Sequence, residues 1–381
     1  MGNIMFLTHS AEPAGAELSL LRLVRHMKRG RTRVVFTSDG VMIARFQNEN
    51  LAADLVRADI ARRPITRSSS PLALAGGLYR MFKDGVAVAT YARSQDITVV
   101  VARSTKALFI GFVATVATRR RLVWSVHDRI SPEYFGPLKA RLLKAFGQWV
   151  SSGFIVNSSA TLETINAGGK PVIVIPPGLE RADSRATRVV RREIKAVGIV
   201  GRLAEWKGQD VFLRAFARVF GDDENDVCAT VVGGPLFGET EFEQRLQQLA
   251  KDLTISHKVQ FTGHVESVSE YLDDFDVLVH ASVIPEPFGA VVIEGMDAGC
   301  AVIATSPGGP AEIITDGVDG RLVPCGDEDA LVSALRDLNE DADLRARLSA
   351  TGMLRAKDFD VTELASRTEQ WLAQFDRELP K

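Results

Sequence analysis

Apolar residues along this chain fall into short, nearly unbroken runs, separated by longer stretches with a helical period. In the first half the runs are Ile4–His9, Arg33–Ser38, Asp96–Ala102, Leu122–His127, Gly153–Asn157 and Val172–Ile175. In the second they are Ala196–Val200, Cys228–Val232, Val259–Thr262, Val277–His280, Ala301–Thr305 and Arg321–Val323. They are rich in Val and Ile and do not alternate with polar residues. A strand with one wet face alternates; a strand covered on both faces does not, which is the pattern of parallel sheets between helical layers. Helical periodicity lies between the runs, at Ala16–Met27, Gln209–Phe220, Glu241–Leu253 and Ala330–Asn339. The longest apolar run, Ala107 to Thr118, is too short to span a bilayer. It reads as a buried helix ending at Arg119–Arg121, with cations at its negative end.

Strand–helix alternation in both halves predicts an α/β protein of two doubly wound, Rossmann-like parallel-sheet domains, residues 1–180 and 181–361. The length of 381 residues suits two domains. The break falls near Glu180–Arg192, a polar segment without apolar periodicity that follows Pro176-Pro177-Gly178. A last helix, Thr362–Glu378, carries Leu364, Trp371, Leu372 and Phe375 as an apolar stripe. Arg62–Pro71, with three serines before the proline, reads as a loop.

Ligands of open parallel sheets bind at the carboxyl ends of the strands, and the residues with chemical potential stand there. In Glu286-Pro287-Phe288-Gly289-Ala290-Val291-Val292-Ile293-Glu294 two carboxylates bracket a turn and a helix start near Gly289. The first amides of that helix and the positive end of its dipole form an anion site, typically for phosphate. The unit reads as one carboxylate for a polyhydroxyl group, an amide nest from Phe288 to Val291 for phosphate, and a second carboxylate, Glu294, for another pair of hydroxyls. A sugar nucleotide has those parts in that order. Arg202 and Lys207 follow the strand Ala196–Val200 and precede a helix. Two such cations would clamp a diphosphate, one as a planar fork and one as a point charge. Gly15, in the loop after the first strand, lets backbone approach a ligand closely. No Gly-x-Gly-x-x-Gly follows that strand, which counts against a dinucleotide cofactor.

Glu-Pro-Phe-Gly with a second Glu after seven residues resembles the signature of the retaining glycosyltransferases of family 4. The chain continues to match in order, from about Gly15 to about Asp327. Gly201-Arg202-Leu203 and Lys207-Gly208 resemble that family's phosphate-binding Arg and Lys. Trp124-Ser125-Val126-His127-Asp128 resembles its strand-end His, and Gly308-Gly309-Pro310-Ala311-Glu312 its Gly-Gly turn before a helix. The resemblance implies the GT-B fold, with two Rossmann-like domains facing across a cleft and the chain's end crossing back onto the first. It implies a nucleotide-sugar donor of UDP or GDP type and transfer with retention at the anomeric carbon. His127 and Glu286 would contact the sugar, Glu294 the ribose, and Val265 the base through its backbone. Glu286, His127, Arg202 and Lys207 would carry catalysis; Gly15, Val265, Phe288, Gly289, Ala290, Val291 and Glu294 would complete the donor site. The leaving phosphate itself would accept the acceptor's proton. The family often has two glycines where this chain has Ala14-Gly15.

No metal or other cofactor is expected, since Arg202, Lys207 and the helix amides can neutralise the diphosphate. Asp274-Phe275-Asp276 invites a metal reading, but it stands where a helix ends and the strand Val277–His280 begins, and a structural corner explains it. Glu312 reads as a first-turn helix acid and Asn157-Ser158-Ser159 as a cap. Hydrophobic content of 46% and charged content of 25% are those of a globular protein. Three scattered cysteines, Cys228, Cys300 and Cys325, suit buried thiols in a reducing compartment. No secretory signal is read, because Ile4–Leu7 forms a first strand, so the expected location is cytoplasmic. Residues 1–180 hold 24 Lys and Arg against 12 Asp and Glu; the rest hold 22 against 36. A basic first half suits an anionic acceptor or peripheral contact with an anionic membrane face. The acceptor is expected to be a glycan, a lipid-linked molecule or a small aglycone; no nucleic-acid partner is expected.

Two rivals share this architecture. A sugar-nucleotide epimerase or phosphorylase would be revealed by nucleotide release without acceptor. A partner subunit that has lost the chemistry would fail a donor-hydrolysis assay, although Glu286, Glu294, Arg202 and Lys207 all being in place argues against it.

Overall fold

The structure, a computed structural model, describes residues 2–28, 30–58, 71–180, 191–222, 224–235 and 240–376. Residues 62–70 of the expected loop, most of the polar segment Glu180–Arg192, and Glu378 lie outside these. Pro71 opens a helix to Ser94, where its fixed φ and missing N–H suit a first turn. The chain forms two compact units, Met1–Gly178 with Val361–Lys381, and Leu179–Asp360.

The first unit contains β1 (Asn3–Thr8), β2 (Thr32–Phe36), β3 (Ala53–Leu55), β4 (Ile97–Ala102), β5 (Arg121–Val126), β6 (Gly153–Val156) and β7 (Val172–Val174). All pair in parallel, in the order β3-β2-β1-β4-β5-β6-β7. The sequence pattern misses β3, an edge strand of three residues with a central Asp that shows neither a run nor an alternation. In β1, Phe6 packs with Leu20, Phe36 and Leu364, while Met5 and Leu7 enter a second cluster with Leu108 and Trp124. Both faces are therefore covered, which is why the run is continuous rather than alternating. Leu364, Leu372 and Phe375 of the last helical segment bury in the Phe6 cluster.

The second unit contains β8 (Ala196–Val200), β9 (Cys228–Val232), β10 (Val259–Phe261), β11 (Val277–Val279), β12 (Ala301–Ser306) and β13 (Arg321–Pro324), again all parallel, in the order β10-β9-β8-β11-β12-β13. Ile303 faces one core cluster, and Val302 and Ala304 face the other. The helix Gln209–Phe220 stacks Phe212, Phe216 and Phe220 along one stripe at centroid spacings of 6.2 and 5.4 Å. Each such buried ring contributes about 1.5–3 kcal/mol. Strand order reverses between β1 and β4 in one sheet and between β8 and β11 in the other, and these are the switch points where ligands bind in such sheets.

Two expectations change. The helix Thr105–Thr118 is buried on one face only: Leu108 and Ala114 are inside, but Val116 is 64% exposed, because the sheet and the neighbouring helices leave one side of it uncovered. Only Cys300 is fully buried; Cys228 is exposed and Cys325 intermediate. Cys228 is the first residue of β9, where helical cover has not begun.

Candidate active site

The second unit assembles a charged cluster at the carboxyl ends of β8 and β11. The helix Ala290–Asp297 starts as the sequence pattern indicates, with Gly289 as its N-cap at φ 88°, a left-handed conformation that favours glycine. Its first amides have no acceptor within the helix, and the earliest bond runs from Val292 N to Gly289 O, 2.9 Å. The Phe288 ring is turned inward against Phe359, centroids 5.9 Å apart. Phe288 thus anchors the turn with its ring and offers a ligand only backbone. The Gly308-Gly309 turn is its seat: Gly309 N donates to Glu286 O at 2.8 Å, and a Cβ at Gly309 would lie 2.2 Å from Phe288 Cα.

Glu286 is buried, and its carboxylate is surrounded by donors. Lys207 Nζ lies 2.6 Å from Oε1; His280 Nε2 and Ser282 Oγ each lie 2.6 Å from Oε2. The Nδ1 of His280 faces the Thr305 amide at 3.5 Å and the Thr305 hydroxyl at 3.2 Å. An amide can only donate, so Nδ1 accepts and Nε2 carries the proton shared with Glu286. Burial alone would push the Glu286 carboxyl up. The Lys207 ammonium and the His280 imidazole outweigh it and hold the group well below the usual carboxylate range. Three of its roughly four acceptor positions are thereby filled by the protein.

Lys207 and Arg202 sit on one loop built around Trp206. Lys207 Nζ is 4.5 Å and the Arg202 guanidinium 6.0 Å from the centre of the indole ring. The loop is fixed from three sides. Gly201 N donates to Val232 O, Gln209 Nε2 to Arg202 O, and Val283 N to Trp206 O. Lys207 and Glu286 are thus brought into contact, an arrangement that separate readings of the two residues do not contain. Glu294 stands half-buried just over one turn into the helix, and Val265 packs with Ala290 and Val291 against the cluster that holds Phe288.

Asp274 ends a helix and Asp276 lies buried at the corner before β11. Asp276 Oδ2 accepts from the Lys195 and Ala196 amides at 2.8 and 3.1 Å and pairs with Arg191 at 3.2 Å. Glu312 lies in the first turn of the helix Pro310–Ile313.

His127 and Gly15 belong to the first unit. His127 directly follows β5, with Nε2 2.9 Å from Ser125 Oγ. Shielding from water, and then the Arg103 guanidinium, push its pKa well below the ordinary imidazole value. At neutral pH it offers a hydrogen bond rather than a charge. Asn157 does not cap the following helix. Ser158 does, accepting from Thr161 N at 2.9 Å, while Asn157 Nδ2 donates to His127 O at 3.0 Å and ties down the histidine loop. A Cβ at Gly15 would meet nothing within 4 Å, so no protein neighbour requires the glycine, and it leaves the first turn of the helix Gly15–Arg25 unobstructed.

Arg103, Glu17 and His9 complete this end of the first sheet. Arg103 follows β4, is 8% exposed, and donates to Ala16 O at 2.9 Å. Burial pushes it down to about 10, with Glu17 opposing. Burial and Lys106 push His9 down to about 4, and its Nδ1 lies 2.7 Å from Ser104 Oγ. Arg103 and His280 escape the motif reading, yet both share one signal with His127: a titratable residue directly after a largely apolar parallel strand.

Two family models match adjoining stretches of this chain. "Glycosyltransferase Family 4" covers residues 13–182 and "Glycosyl transferases group 1" covers residues 181–355. The chain belongs to the family 4 glycosyltransferases. Among curated glycosyltransferases it is 36% identical over 184 residues to the lipopolysaccharide core biosynthesis glycosyltransferase LpsD of Rhizobium meliloti, covering 48% of this chain and 49% of that one. It is 34% identical over 211 residues to the D-inositol 3-phosphate glycosyltransferase of Streptomyces avermitilis, covering 52% and 45%. The chain thus spans about half the length of these curated relatives. Among solved structures, Anabaena Alr3699/HepE in complex with UDP-glucose superimposes with a TM-score of 0.83 at 26% identity, over 98% of this chain and all of that one. Both parallel-sheet units match those of GT-B glycosyltransferase structures.

Proposed function

We propose that the protein transfers a sugar from a UDP- or GDP-type donor to a glycan, lipid-linked or small-molecule acceptor, with retention and without a metal. The observation that carries this reading is the Lys207–Glu286–His280 cluster beneath the start of the helix Ala290–Asp297. It joins a carboxylate kept ionised to a cation and an amide end suited to phosphate. The complexes of Alr3699/HepE with UDP and with UDP-glucose favour a UDP donor.

In such a transfer, positive charge grows on the sugar ring as negative charge grows on the departing diphosphate. Arg202, Lys207 and the amides from Phe288 to Val291 would stabilise the departing oxygens, which is electrostatic catalysis by groups already in place. Glu286 would take a sugar hydroxyl on the acceptor position its three donors leave, and Glu294 the ribose. The neutral His127 would hydrogen-bond the sugar rather than move a proton. A carboxylate immobilised by three donors is a fixed charge, well suited to facing a cationic sugar ring. The relation to LpsD and the basic first half favour a glycan or lipid-linked acceptor and work at the cytoplasmic side of a membrane. Among the described residues no helix is long and apolar enough to cross one.

The test is donor binding followed by turnover. Thermal-shift screening against nucleoside diphosphates and sugar nucleotides, in excess chelator, should select a uridine or guanosine diphosphate. Turnover in chelator should then yield an α-linked product from an α-linked donor. Binding and turnover that return only with magnesium or manganese would refute the metal-free part. An inverted product would refute retention.

A further inference from the structure

Among its described residues, the first unit presents an apolar face to solvent. On the helix Pro137–Val150, Ala140 and Gly147 are buried toward the sheet. On the opposite side, Leu138, Leu142, Ala145 and Trp149 recur at i, i+4, i+7 and i+11, which is a single stripe at 100° per residue. Leu138 is 69%, Leu142 59% and Trp149 70% exposed. The stripe continues across the neighbouring helix. Trp149 lies 5.3 Å from Phe112 and 6.4 Å from Phe146, ring to ring, and Val116 is exposed one turn beyond Phe112. Exposed apolar side chains scattered singly are ordinary; a continuous aromatic and aliphatic stripe marks a contact surface.

The charge around the stripe names its partner. Residues 101–150 hold nine Lys and Arg against two Asp and Glu, and those two, Asp128 and Glu133, lie outside both helices. Lys139 and Arg141 are exposed on the two flanks of the stripe, and Lys106 and Arg119 at the two ends of the neighbouring helix. A second copy of this chain docked by a twofold axis would set these cations against themselves. An anionic polymer would engage the cations and leave Trp149 and Leu142 wet. A bilayer of anionic lipid satisfies both: head groups meet the basic flanks while Leu, Phe and Trp enter the boundary with the acyl chains.

We propose that the helix Pro137–Val150, with the adjoining side of Thr105–Thr118, docks the protein on an anionic lipid surface. Docking by this face depends on neither the donor nor the acceptor of the transfer reaction. Full-chain protein is sedimented with mixed phosphatidylglycerol–phosphatidylcholine vesicles and with phosphatidylcholine alone, at low and high salt. Wild type should bind the mixed vesicles, less at high salt, and the neutral ones weakly. Leu142→Glu with Trp149→Glu should weaken binding at least about ten-fold, and Lys139→Glu with Arg141→Glu about five-fold for each cation removed. All four sites are exposed, so melting temperature should not move, and binding of UDP should be retained. Trp149→Phe should keep vesicle binding but lose the blue shift of tryptophan emission that vesicles induce. Equal binding by wild type and both double variants would overturn the proposal. So would recovery with neutral vesicles as strong as with anionic ones. A stable dimer that separates on Leu142→Glu would assign the face to a second copy instead.

Discussion

Lys207→Met tests whether the charge on Glu286 depends on its partner. The substitution keeps an unbranched chain beside Trp206 and removes the ammonium 2.6 Å from Oε1. The two side chains are 16% and 11% exposed, so solvent screens the pair weakly. Removing one partner of a buried pair costs about 3–5 kcal/mol, because the remaining charge stays desolvated. His280 and Ser282 still donate, which places the expected loss near the lower figure, about 3 kcal/mol at neutral pH. The pH dependence should change as well. In the wild type the folded carboxyl lies below its unfolded value of about 4.3. Its contribution is complete above that value and disappears only as pH falls through the lower, folded one. Without Lys207, burial is the largest remaining influence and moves the carboxyl upward from its wild-type position, against the His280 and Ser282 donors. The variant is then penalised at neutral pH and relieved on acidification. Calorimetric unfolding at about pH 7.5 and pH 5 should therefore show a deficit against wild type that shrinks toward pH 5. Glu286→Gln in the Lys207→Met background should recover most of the loss and remove its pH dependence. A deficit below about 1 kcal/mol, or one independent of pH, would refute the argument, since a weakly coupled surface pair behaves that way.

Arg202→Ala should weaken UDP binding by about 1.5–3 kcal/mol in calorimetry while leaving unfolding unchanged; an unaltered affinity would place the diphosphate elsewhere. Glu294→Ala should weaken UDP and UDP-sugar alike, whereas Glu286→Gln should lower turnover and leave UDP affinity near wild type. Equal loss of UDP affinity in both variants would refute the division of ribose and sugar between them.

The helix start and both carboxylates were legible because local chemistry writes them in adjacent residues. Gly289 is needed where the helix starts, Phe288 where a ring must anchor the turn, and Glu286 and Glu294 stand on either side. The strands were legible because parallel strands covered on both faces are continuous Val and Ile runs. β3 escaped, since three residues at a sheet edge carry no period. The exposed stripe of Leu138, Leu142 and Trp149 was hidden for a different reason. Apolar positions on two opposite sides of a helix look, along a sequence, like a helix that is merely hydrophobic.

Residue order by itself determined the fold class, the strand ends where charged residues stand, and the spacing of the two glutamates, because each depends on neighbours within a few positions. Only the tertiary structure decided that Lys207 and Glu286 meet and that His280, Ser282 and Thr305 form one hydrogen-bonded row with them. It also decided that Asn157 holds the His127 loop and that Arg103 stands beside Glu17. Apart from the local bonds of His280 and Ser282 to Glu286, those contacts join the ends of different parallel strands or of a strand and a helix. Parallel strands are adjacent in space only after a helical crossover, so their partners lie tens of residues apart and leave no local trace.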